Sequence, residues 1–516
     1  MVFEIRTILV AAGLALGVTR THAPAPTPRL IVVLTIDQLR PDYFTRWRSQ
    51  WTGGFRRLMA EGAMFPNGRQ DHAITETAPG HATILSGRYP AHTGIPLNEL
   101  GVPDTTVKLL GGANGEGASP RRFVGTTLVD WLRRDDPGLR FLSVSRKDRG
   151  AILPIGRTRG PVFWFADGRF TSSTWYADTL PTWVTRWDSG HFLERLEGTV
   201  WTPLLPDSAY PERDDEPWEH GGKETAFPHR MPADSAGALA TLGERPWMDS
   251  LTLDFALAGT RALELGRRGR PDLLAISLSA TDYIGHEWGP DSREVHDHLL
   301  RLDRWLGGFL DSLATITPKE RILVVLTADH GVTAFPELAL SQGHPGGRIP
   351  LRRLVGAVNH SVGDALTESS GLIYADTARL HRARVNPESL ATALAATVQK
   401  LPGVVDAWTP ATLGAPLPSN VHASRWRRAL PPTLSWLVCA VAAPGYIWSD
   451  GPGYTTHGTT NPDDVDVPIA FLGAGIRPGF YSDTVTTVDI APTLARLLAV
   501  KPMEKLDGRV IKRVFK

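Results

Sequence analysis

"RILVVLTADHG", residues 321–331, is an apolar run that ends in two polar residues, Asp329 and His330. A continuous run of Val, Ile and Leu is typical of a strand that is buried on both faces, as in a parallel sheet. Because Asp329 and His330 follow the run directly, they fall where the strand leaves the sheet. The stretch therefore predicts both a strand and a chemically capable group at its carboxyl end.

The same pattern recurs at four other places in the chain. The runs are "RLIVVLTID" (29–37), "LRFLSVS" (139–145), "DLLAISLSATD" (272–282) and "DVPIAFLGAG" (466–475). Helical periodicity lies between them, in "FVGTTLVDWLRR" (123–134), "VHDHLLRLDRWLGGFLDSL" (295–313) and "VDIAPTLARLLAV" (488–500). This alternation predicts an α/β fold, a doubly wound, mostly parallel sheet with helices on both faces. Ligands of such sheets bind beyond the carboxyl ends of the strands.

The composition is that of a globular protein. The chain has 516 residues, of which 42% are apolar and 21% charged, and its net charge is +1. The chain therefore has no large excess of positive charge, and we expect no nucleic-acid binding. Cys439 is the only cysteine, which excludes intrachain disulfides and thiolate metal clusters. Any metal must be held by His and carboxylates, and Cys439 is expected to be a core residue.

Residues 1–27 are predicted to be a signal peptide followed by a Pro-rich tether. Arg6 precedes a short apolar run, Ile8–Val18, and "APAPTP" follows. We therefore expect export to the periplasm or the extracellular space, with no stable membrane association after cleavage. An uncleaved anchor is the alternative, and the sequence leaves open which of the two applies.

Residues 28–516 are predicted to form one catalytic domain with two insertions. The first insertion, at about 152–270, is rich in Trp, Pro and Gly and is interpreted in part as substrate-side loops. The second, at about 334–448, contains "GLIYAD", "PESLATALAATVQKL" and "GVVDAWT", which predict strand, helix and strand. We expect this second insertion to be a small α+β subdomain.

Seven oxygen or imidazole groups stand at the predicted strand ends and in the loops that follow them. They are Asp37, Thr77, Asp282, His286, Asp329, His330 and His457. Each one alone is more simply a turn, cap or core residue, but five strand ends carrying such groups favour a site. The set suits two closely spaced Zn²⁺ ions. The remaining candidates lack a partner at ligand spacing and are set aside: His72, His92, His344 and His360.

Thr77 lies in "DHAITETAPGHATILSGRYPAHTGI", residues 71–95, just before a Pro-Gly pair at a predicted helix start. Two interpretations are open. Thr is a good N-cap residue, and Pro is favoured in the first turn. Alternatively, the hydroxyl faces a phosphate that is bound by the free N–H groups of the helix N-terminus.

The order of these motifs resembles the alkaline phosphatase superfamily. "TID", a Thr before a helix, "D-x-x-x-H", "DHG" and a late "HG" follow one another as they do in that superfamily. The resemblance implies a nucleophilic Thr77 that forms a covalent phosphothreonine. It also implies that Asp37, Thr77, Asp329 and His330 hold one zinc, and that Asp282, His286 and His457 hold the other.

Three further residues resemble those of the periplasmic phosphate-irrepressible alkaline phosphatases. Asn98 lies 21 positions after Thr77, and Lys147 and Arg149 lie in "SRKDRGAILPIG". The resemblance implies that these three residues clamp the phosphoryl oxygens of a phosphate monoester. A monoester carries up to two negative charges, which suits a Lys point charge and an Arg fork.

Three functions other than a monoesterase are consistent with parts of this pattern. The nearest is a nucleotide pyrophosphatase/phosphodiesterase, which shares the Thr nucleophile and the zinc set. A sulfatase is disfavoured because Thr77 stands where sulfatases have a modified Cys or Ser. A catalytically inactive zinc-binding protein of the same fold is the non-enzyme alternative. The sequence leaves open the natural substrate, the oligomeric state and the metal bound in the cell.

Overall fold

The structure is a computed structural model that describes residues 27–416 and 419–516. The predicted signal segment therefore lies outside the described residues, apart from its last position.

The strands are β1 (Leu30–Ile36), β2 (Ala63–Phe65), β3 (Gly68–Arg69), β4 (Phe141–Ser145), β5 (Val162–Ala166), β6 (Arg169–Thr171), β7 (Val200–Trp201), β8 (His229–Arg230), β9 (Asp272–Leu278), β10 (Ile322–Thr327), β11 (Gly347–Ile349), β12 (Leu366–Ser369), β13 (Leu372–Ala375), β14 (Val404–Trp408), β15 (Trp436–Ala442), β16 (Tyr446–Trp448), β17 (Ile469–Gly473), β18 (Gly479–Phe480) and β19 (Val485–Thr486).

The α-helices are α1 (Tyr43–Arg46), α2 (Gly54–Glu61), α3 (Thr77–Ile84), α4 (Pro90–Thr93), α5 (Leu128–Asp135), α6 (Asp148–Ile152), α7 (Thr182–Asp188), α8 (Phe192–Leu196), α9 (Ser235–Thr241), α10 (Trp247–Ala262), α11 (Ala280–Trp288), α12 (Arg293–Ala314), α13 (Pro336–Ser341), α14 (Leu351–Val362), α15 (Thr377–Arg382), α16 (Pro387–Val398), α17 (Pro410–Gly414), α18 (Val421–Ala429), α19 (Pro462–Val465) and α20 (Ile490–Leu497).

A nine-stranded sheet forms the centre of the molecule. Its strand order is β18-β2-β17-β10-β1-β9-β4-β5-β6. The central strands β10, β1, β9, β4 and β5 run parallel to one another, and antiparallel pairs occur toward both edges. The predicted fold class, a doubly wound and mostly parallel α/β sheet, is confirmed.

The two faces of this sheet bury two separate hydrophobic clusters. In β1, Leu30, Val32 and Leu34 face one cluster, whereas Ile31 and Val33 face the other. Side chains of a strand alternate between faces, so a strand that is apolar at every position supplies both clusters. Helices α2, α10 and α12 cover the first face, and α3, α5 and α20 cover the second.

β17 runs antiparallel to β10, which the apolar run at 466–475 did not predict. Leu326 of β10 pairs with Ala470, and Leu323 pairs with Gly473. Run direction depends on the route of the connecting chain, which a local pattern does not encode. The antiparallel direction has a consequence for the site. The start of β17 lies at the carboxyl edge of β10, so the chain that precedes it, including His457, lies at that edge.

The two intervals interpreted as insertions differ in structure. Residues 152–270 include β5 and β6, which are strands of the central sheet, and α10, which packs on it. Part of that interval therefore belongs to the main layers, and the loop interpretation applies only to the remainder. Within 334–448 a second sheet has the order β12-β13-β15-β14, and α14 and α16 pack on one of its faces.

Cys439 of β15 is fully buried against Trp408 and Trp426, as expected of a core residue. Among the residues that the structure describes, no helix combines the length and the apolar character needed to cross a membrane.

Candidate active site

The carboxyl ends of three central strands lie side by side. Thr35 of β1 pairs with Ser277 of β9 and with Thr327 of β10. Just beyond, the N–H of Asp37 donates to the Leu278 carbonyl at 2.9 Å. The residues that follow β1, β9 and β10 therefore lie together at one point of the sheet edge, where α/β proteins bind their ligands.

Each strand leads directly into predicted metal ligands. Asp37 follows β1, and Asp329 and His330 follow β10. Asp282 and His286 lie on α11, which begins two residues after β9, and residues four apart share a helix face. Asp37, Asp329 and His330 are fully buried, and Asp282 is 3% exposed. The apolar strands thus hold four polar groups out of solvent.

Asp37, Asp329 and His330 form a first group, whose ligand atoms lie within 4.8 Å of one another. Asp37 Oδ1, Asp329 Oδ2 and His330 Nε2 have no hydrogen-bond partner among the described residues. His330 Nδ1 donates to the Gly331 carbonyl at 2.9 Å, which leaves the lone pair on Nε2. Unpaired buried polar atoms are costly, and a cation between these three would pair them all. The residues therefore fit a metal ion.

Asp282, His286 and His457 form a second group. Asp282 Oδ1 lies 3.2 Å from Nε2 of His286 and 3.5 Å from Nε2 of His457. The Nδ1 atoms of the two rings donate to the carbonyls of Thr455, at 2.7 Å, and Thr75, at 2.6 Å. These backbone contacts fix both rings with Nε2 toward the carboxylate, which is the arrangement of metal-binding histidines.

His330 lies between the two groups. Its ring stacks on that of His457 with centroids 3.6 Å apart, and His330 and His457 form a second ligand cluster with Asp282 within 4.8 Å. His286 approaches the same carboxylate, and its ring centroid lies 5.0 Å from that of His457. The assignment of His286, rather than His330, to the second ion stays a prediction.

Thr77 is the first residue of α3, and it is not the N-cap. Glu76, in an extended conformation, occupies the cap position. The Thr77 side chain is therefore not used to cap the helix, which removes the simpler of its two interpretations. Thr77 is 1% exposed, and its Oγ1 lies 3.4 Å from the Nζ of Lys147. The hydroxyl therefore lies beside the buried ammonium group of Lys147.

Lys147 is held between two carboxylates. Its Nζ lies 2.6 Å from Asp37 Oδ2 and 2.5 Å from Asp282 Oδ2. Burial alone would lower the pKa of Lys147, but Asp282 and Asp37 outweigh burial and raise it. Burial raises the pKa of Asp37, with repulsion from Asp282 and Asp329 adding to it. A buried ammonium group thus compensates carboxylates that would otherwise repel one another.

Asn98 and Arg149 complete the predicted clamp. Asn98 Oδ1 accepts the Ala78 N–H at 2.8 Å, and its own N–H donates to Glu76 Oε2 at 2.8 Å. Both contacts fix Asn98 to the first turn of α3. Arg149 lies on α6, two residues after Lys147, which is the N-cap residue, and its Nε has no partner among the described residues. The guanidinium therefore keeps donors free beside the site.

Sequence reasoning missed Gln38. Its N–H lies 3.2 Å from Asp329 Oδ1 and its Nε2 donates to Asp282 Oδ1 at 3.0 Å, so it contacts both ligand groups. Its φ of 67° is a left-handed conformation that costs about 1 kcal/mol or more outside glycine. A residue type alone does not indicate positive φ, so no signal in the sequence identified this residue.

His81 was also missed, although it stands in the quoted stretch around Thr77. Its Nδ1 lies 2.8 Å from the Thr77 carbonyl and 3.1 Å from Asp329 Oδ2, and its Nε2 lies 2.8 Å from Ser277 Oγ. It therefore connects α3 to the strand ends. A histidine four residues after the candidate nucleophile shares its helix face, and that spacing was an available signal.

The histidines that were set aside lie outside both ligand groups. His72 is buried and bonds to the Ala73 carbonyl and Gln70 Oε1, and burial lowers its pKa to about 4. His92 lies 2.8 Å from Asp507.

A cleft of about 500 Å³ opens beside the second ligand group. Its lining includes Glu76, Asn98 and Glu99, the predicted ligands His286 and His457, and residues between 349 and 370 and between 448 and 456. None of its lining residues comes from 152–270. The cleft is therefore bordered by the segment around α3, by the second insertion and by the segment just after that insertion.

Comparison with known proteins agrees with this architecture. A family model described as type I phosphodiesterase / nucleotide pyrophosphatase matches residues 31–463. The chain is 34% identical over 515 residues to alkaline phosphatase PhoV of Synechococcus elongatus, covering 95% of this chain and 93% of that protein. It is 31% identical over 554 residues to alkaline phosphatase PafA of Elizabethkingia meningoseptica, covering 97% and 98% of the two proteins.

The crystal structure of wild-type alkaline phosphatase PafA matches this fold with a TM-score of 0.89 at 30% identity. The match covers 96% of this chain and 100% of that chain. A further structure of that enzyme carries substitutions of one threonine, one asparagine, one lysine and one arginine.

Proposed function

The chain belongs to the type I phosphodiesterase / nucleotide pyrophosphatase family, within the alkaline phosphatase superfamily. From this premise we propose that it is an alkaline phosphatase that hydrolyses phosphate monoesters through a covalent phosphothreonine at Thr77, at a site for two Zn²⁺ ions. The observation that carries the proposal is the buried cluster in which the ammonium group of Lys147 lies against the Thr77 hydroxyl, Asp37 and Asp282.

The chain is an enzyme, a phosphate monoester hydrolase. Relatives named alkaline phosphatases match it at 31–34% identity over at least 95% of its length. The non-enzyme alternative, an inactive zinc-binding protein, therefore loses its support. The relatives also imply metal ions, and the two buried ligand groups fit them.

Zinc and a count of two are our proposal for the metal. His nitrogens and carboxylate oxygens are ligands that Zn²⁺ accepts. Asp37, Asp329, His330 and Thr77 would hold one ion, and Asp282, His286 and His457 would hold the other. Bound there, the ions supply Lewis acidity that favours the Thr77 alkoxide and stabilises negative charge on the leaving oxygen.

The chain's own residues supply the rest of the mechanism. Thr77 Oγ gives its proton to solvent and attacks phosphorus, and the bond from phosphorus to the leaving oxygen breaks as the new bond forms. Lys147, Arg149 and the Asn98 amide hold the equatorial oxygens, together with N–H groups at the start of α3. The departing alcohol takes up a proton, and water then attacks phosphothreonine to release inorganic phosphate and the free hydroxyl.

A phosphodiesterase is the second candidate, since the family description itself names that activity. Lys147 and Arg149 favour the monoesterase, because a second non-bridging anionic oxygen needs additional donors and positive charge. The four residue types substituted in the PafA variant are those of Thr77, Asn98, Lys147 and Arg149, which supports the same set. We also propose export to the periplasm or the extracellular space, small phosphate esters as substrates and no nucleic-acid partner.

An acid-quench experiment tests the nucleophile. Zinc-loaded protein is mixed with p-nitrophenyl phosphate, quenched in acid within a turnover and digested, and the peptides are sequenced by mass spectrometry. We expect phosphate on Thr77 in the wild type. Thr77→Ala should lower kcat/KM on the order of 10³-fold or more while retaining fold and metal content. Turnover by Thr77→Ala at the wild-type rate would refute the assignment.

A further inference from the structure

The cleft beside the second ligand group carries an excess of negative charge. Four carboxylate residues line it, Glu76, Glu99, Glu368 and Asp450, against one guanidinium, that of Arg352. The cleft begins at His286 and His457, the ligands on the side where the leaving oxygen departs in the proposed reaction. A substrate's alcohol portion therefore extends into it.

Glu368 has an unused oxygen in this cleft. Its side chain is 5% exposed, and its Oε1 accepts the Gly371 N–H at 3.2 Å. Its Oε2 accepts no hydrogen bond from the described residues, and the closest cation is Arg352 Nε at 3.8 Å. The Arg352 side chain is itself 76% exposed. This oxygen is not one of the fully buried atoms without a partner, so a cation, a donor or water in the cleft can meet its need for a partner.

Neighbouring groups do not remove this need. Glu76 is already paired, because its carboxylate accepts the Ser370 hydroxyl at 2.6 Å and the Asn98 N–H at 2.8 Å. Burial raises the pKa of Glu368 to about 7, and the Gly371 N–H and the Arg352 guanidinium offset this rise only in part. Trp448 and Tyr454 also line the cleft, and aromatic faces attract organic cations. The guanidinium of Arg348 already lies over the Tyr454 ring, so Trp448 is the aromatic face offered to a ligand.

We propose that this cleft selects phosphate monoesters whose alcohol portion carries a positively charged amine or quaternary ammonium group, with Glu368 and Glu99 facing that charge. The proposal rests on the proposed monoesterase function and deepens it. The phosphoryl group meets Lys147 and Arg149, and the ammonium group meets carboxylates at the opposite end of the substrate. Alcohols that carry a carboxylate are disfavoured by repulsion from the same cleft.

A matched set of three substrates tests this. kcat/KM is measured with zinc-loaded protein for phosphocholine, for its neutral isostere with carbon in place of nitrogen, and for phosphoglycolate. We expect phosphocholine to exceed the isostere by about tenfold and phosphoglycolate to fall below both. The preference should shrink at high salt, because the cleft is open to solvent.

Two substitutions test whether carboxylates of the cleft cause the preference for phosphocholine. Glu368→Gln keeps an oxygen for the Gly371 N–H, and Glu99→Gln changes an exposed side chain, so both are expected to fold. Each should lower the ratio of phosphocholine to isostere several-fold. Glu388→Gln, an exposed change on α16 outside the cleft, should leave the ratio as in the wild type.

Two results would overturn the assignment of the cleft. One is a wild-type ratio at or below one with both substrates hydrolysed, and the other is a ratio that neither Glu368→Gln nor Glu99→Gln changes. Failure of the protein to hydrolyse p-nitrophenyl phosphate as well as all three substrates would instead refute the monoesterase proposal, and the cleft assignment with it.

Discussion

Gly80→Ala tests whether α3 packs directly on Asp329, one of the proposed metal ligands. Gly80 lies three residues after Thr77, and a Cβ at this position would lie 2.2 Å from the Asp329 carbonyl oxygen and 2.7 Å from Asp329 Cβ. Ordinary contacts begin at 3.4 Å, so the helix and the end of β10 must separate by about 1.2 Å. Neither contact atom belongs to a flexible side-chain end.

The separation should reduce both stability and activity. Overpacking of this kind costs about 1–3 kcal/mol of the free energy of unfolding. Thr77 and Asp329 lie on the two sides that move apart, and a displacement of about 1 Å costs about 100-fold in rate. We expect losses of these sizes in urea unfolding and in kcat/KM for p-nitrophenyl phosphate, measured on zinc-loaded protein.

Gly308→Ala on α12 is the matched control. It is the same substitution in a helix, but nothing lies within 4 Å of the added Cβ. It should raise the free energy of unfolding by about 0.5–1 kcal/mol and leave kcat/KM unchanged. If Gly80→Ala behaved like Gly308→Ala in both measurements, the close packing of α3 on Asp329 would be refuted.

Three other perturbations have definite expected results. The buried carboxylate of Asp303 accepts hydrogen bonds from three backbone N–H groups at the start of α2, each at 2.7 Å. Asp303→Ala should therefore lower the free energy of unfolding in urea by about 3 kcal/mol. An unchanged unfolding midpoint would show that these bonds contribute nothing. Gln38→Ala removes a donor to Asp282 and should weaken zinc binding about 10–100-fold in a competitive metal titration, and unaltered affinity would contradict its positioning role. Chelation of the metal should abolish turnover and lower Tm, since bound ions stabilise only the folded state, and zinc should restore both; full activity in chelator would contradict a metal-dependent reaction.

The part of the fold nearest the site was predictable from local patterns. β1, β9 and β10 are short apolar runs that end in Asp37, Asp282 and the pair Asp329–His330. A strand buried on both faces has one sequence signature, and parallel strands bring their carboxyl ends to one edge. These two rules together were sufficient to place the ligands near one another.

Features that depend on a distant partner were not predictable in the same way. The direction of β17 is set by its pairing with β10, and β5 joins the central sheet by pairing with β4. Both segments carry an apolar pattern, but a pattern does not state which strand they pair with or in which direction. The interpretation of part of residues 152–270 as substrate-side loops therefore did not identify the part that completes the sheet.

The supporting residues of the site were hidden for a related reason. Gln38 acts through a backbone conformation and through two contacts more than 240 positions away in the chain. Glu76 acts through Asn98 and through hydroxyl groups of the second insertion. Such roles arise from the assembled structure. The proposed ligands carry their chemistry in residue type and spacing, so the sequence alone could predict them.

The most direct test of the account compares kcat/KM for p-nitrophenyl phosphate and bis-p-nitrophenyl phosphate in the zinc-loaded wild type, Lys147→Ala and Arg149→Ala. The account predicts a strong monoester preference in the wild type, and a larger loss on the monoester than on the diester in each variant. A diester preference in the wild type, or equal losses on both substrates in the variants, would contradict the claim that Lys147 and Arg149 form a monoester clamp.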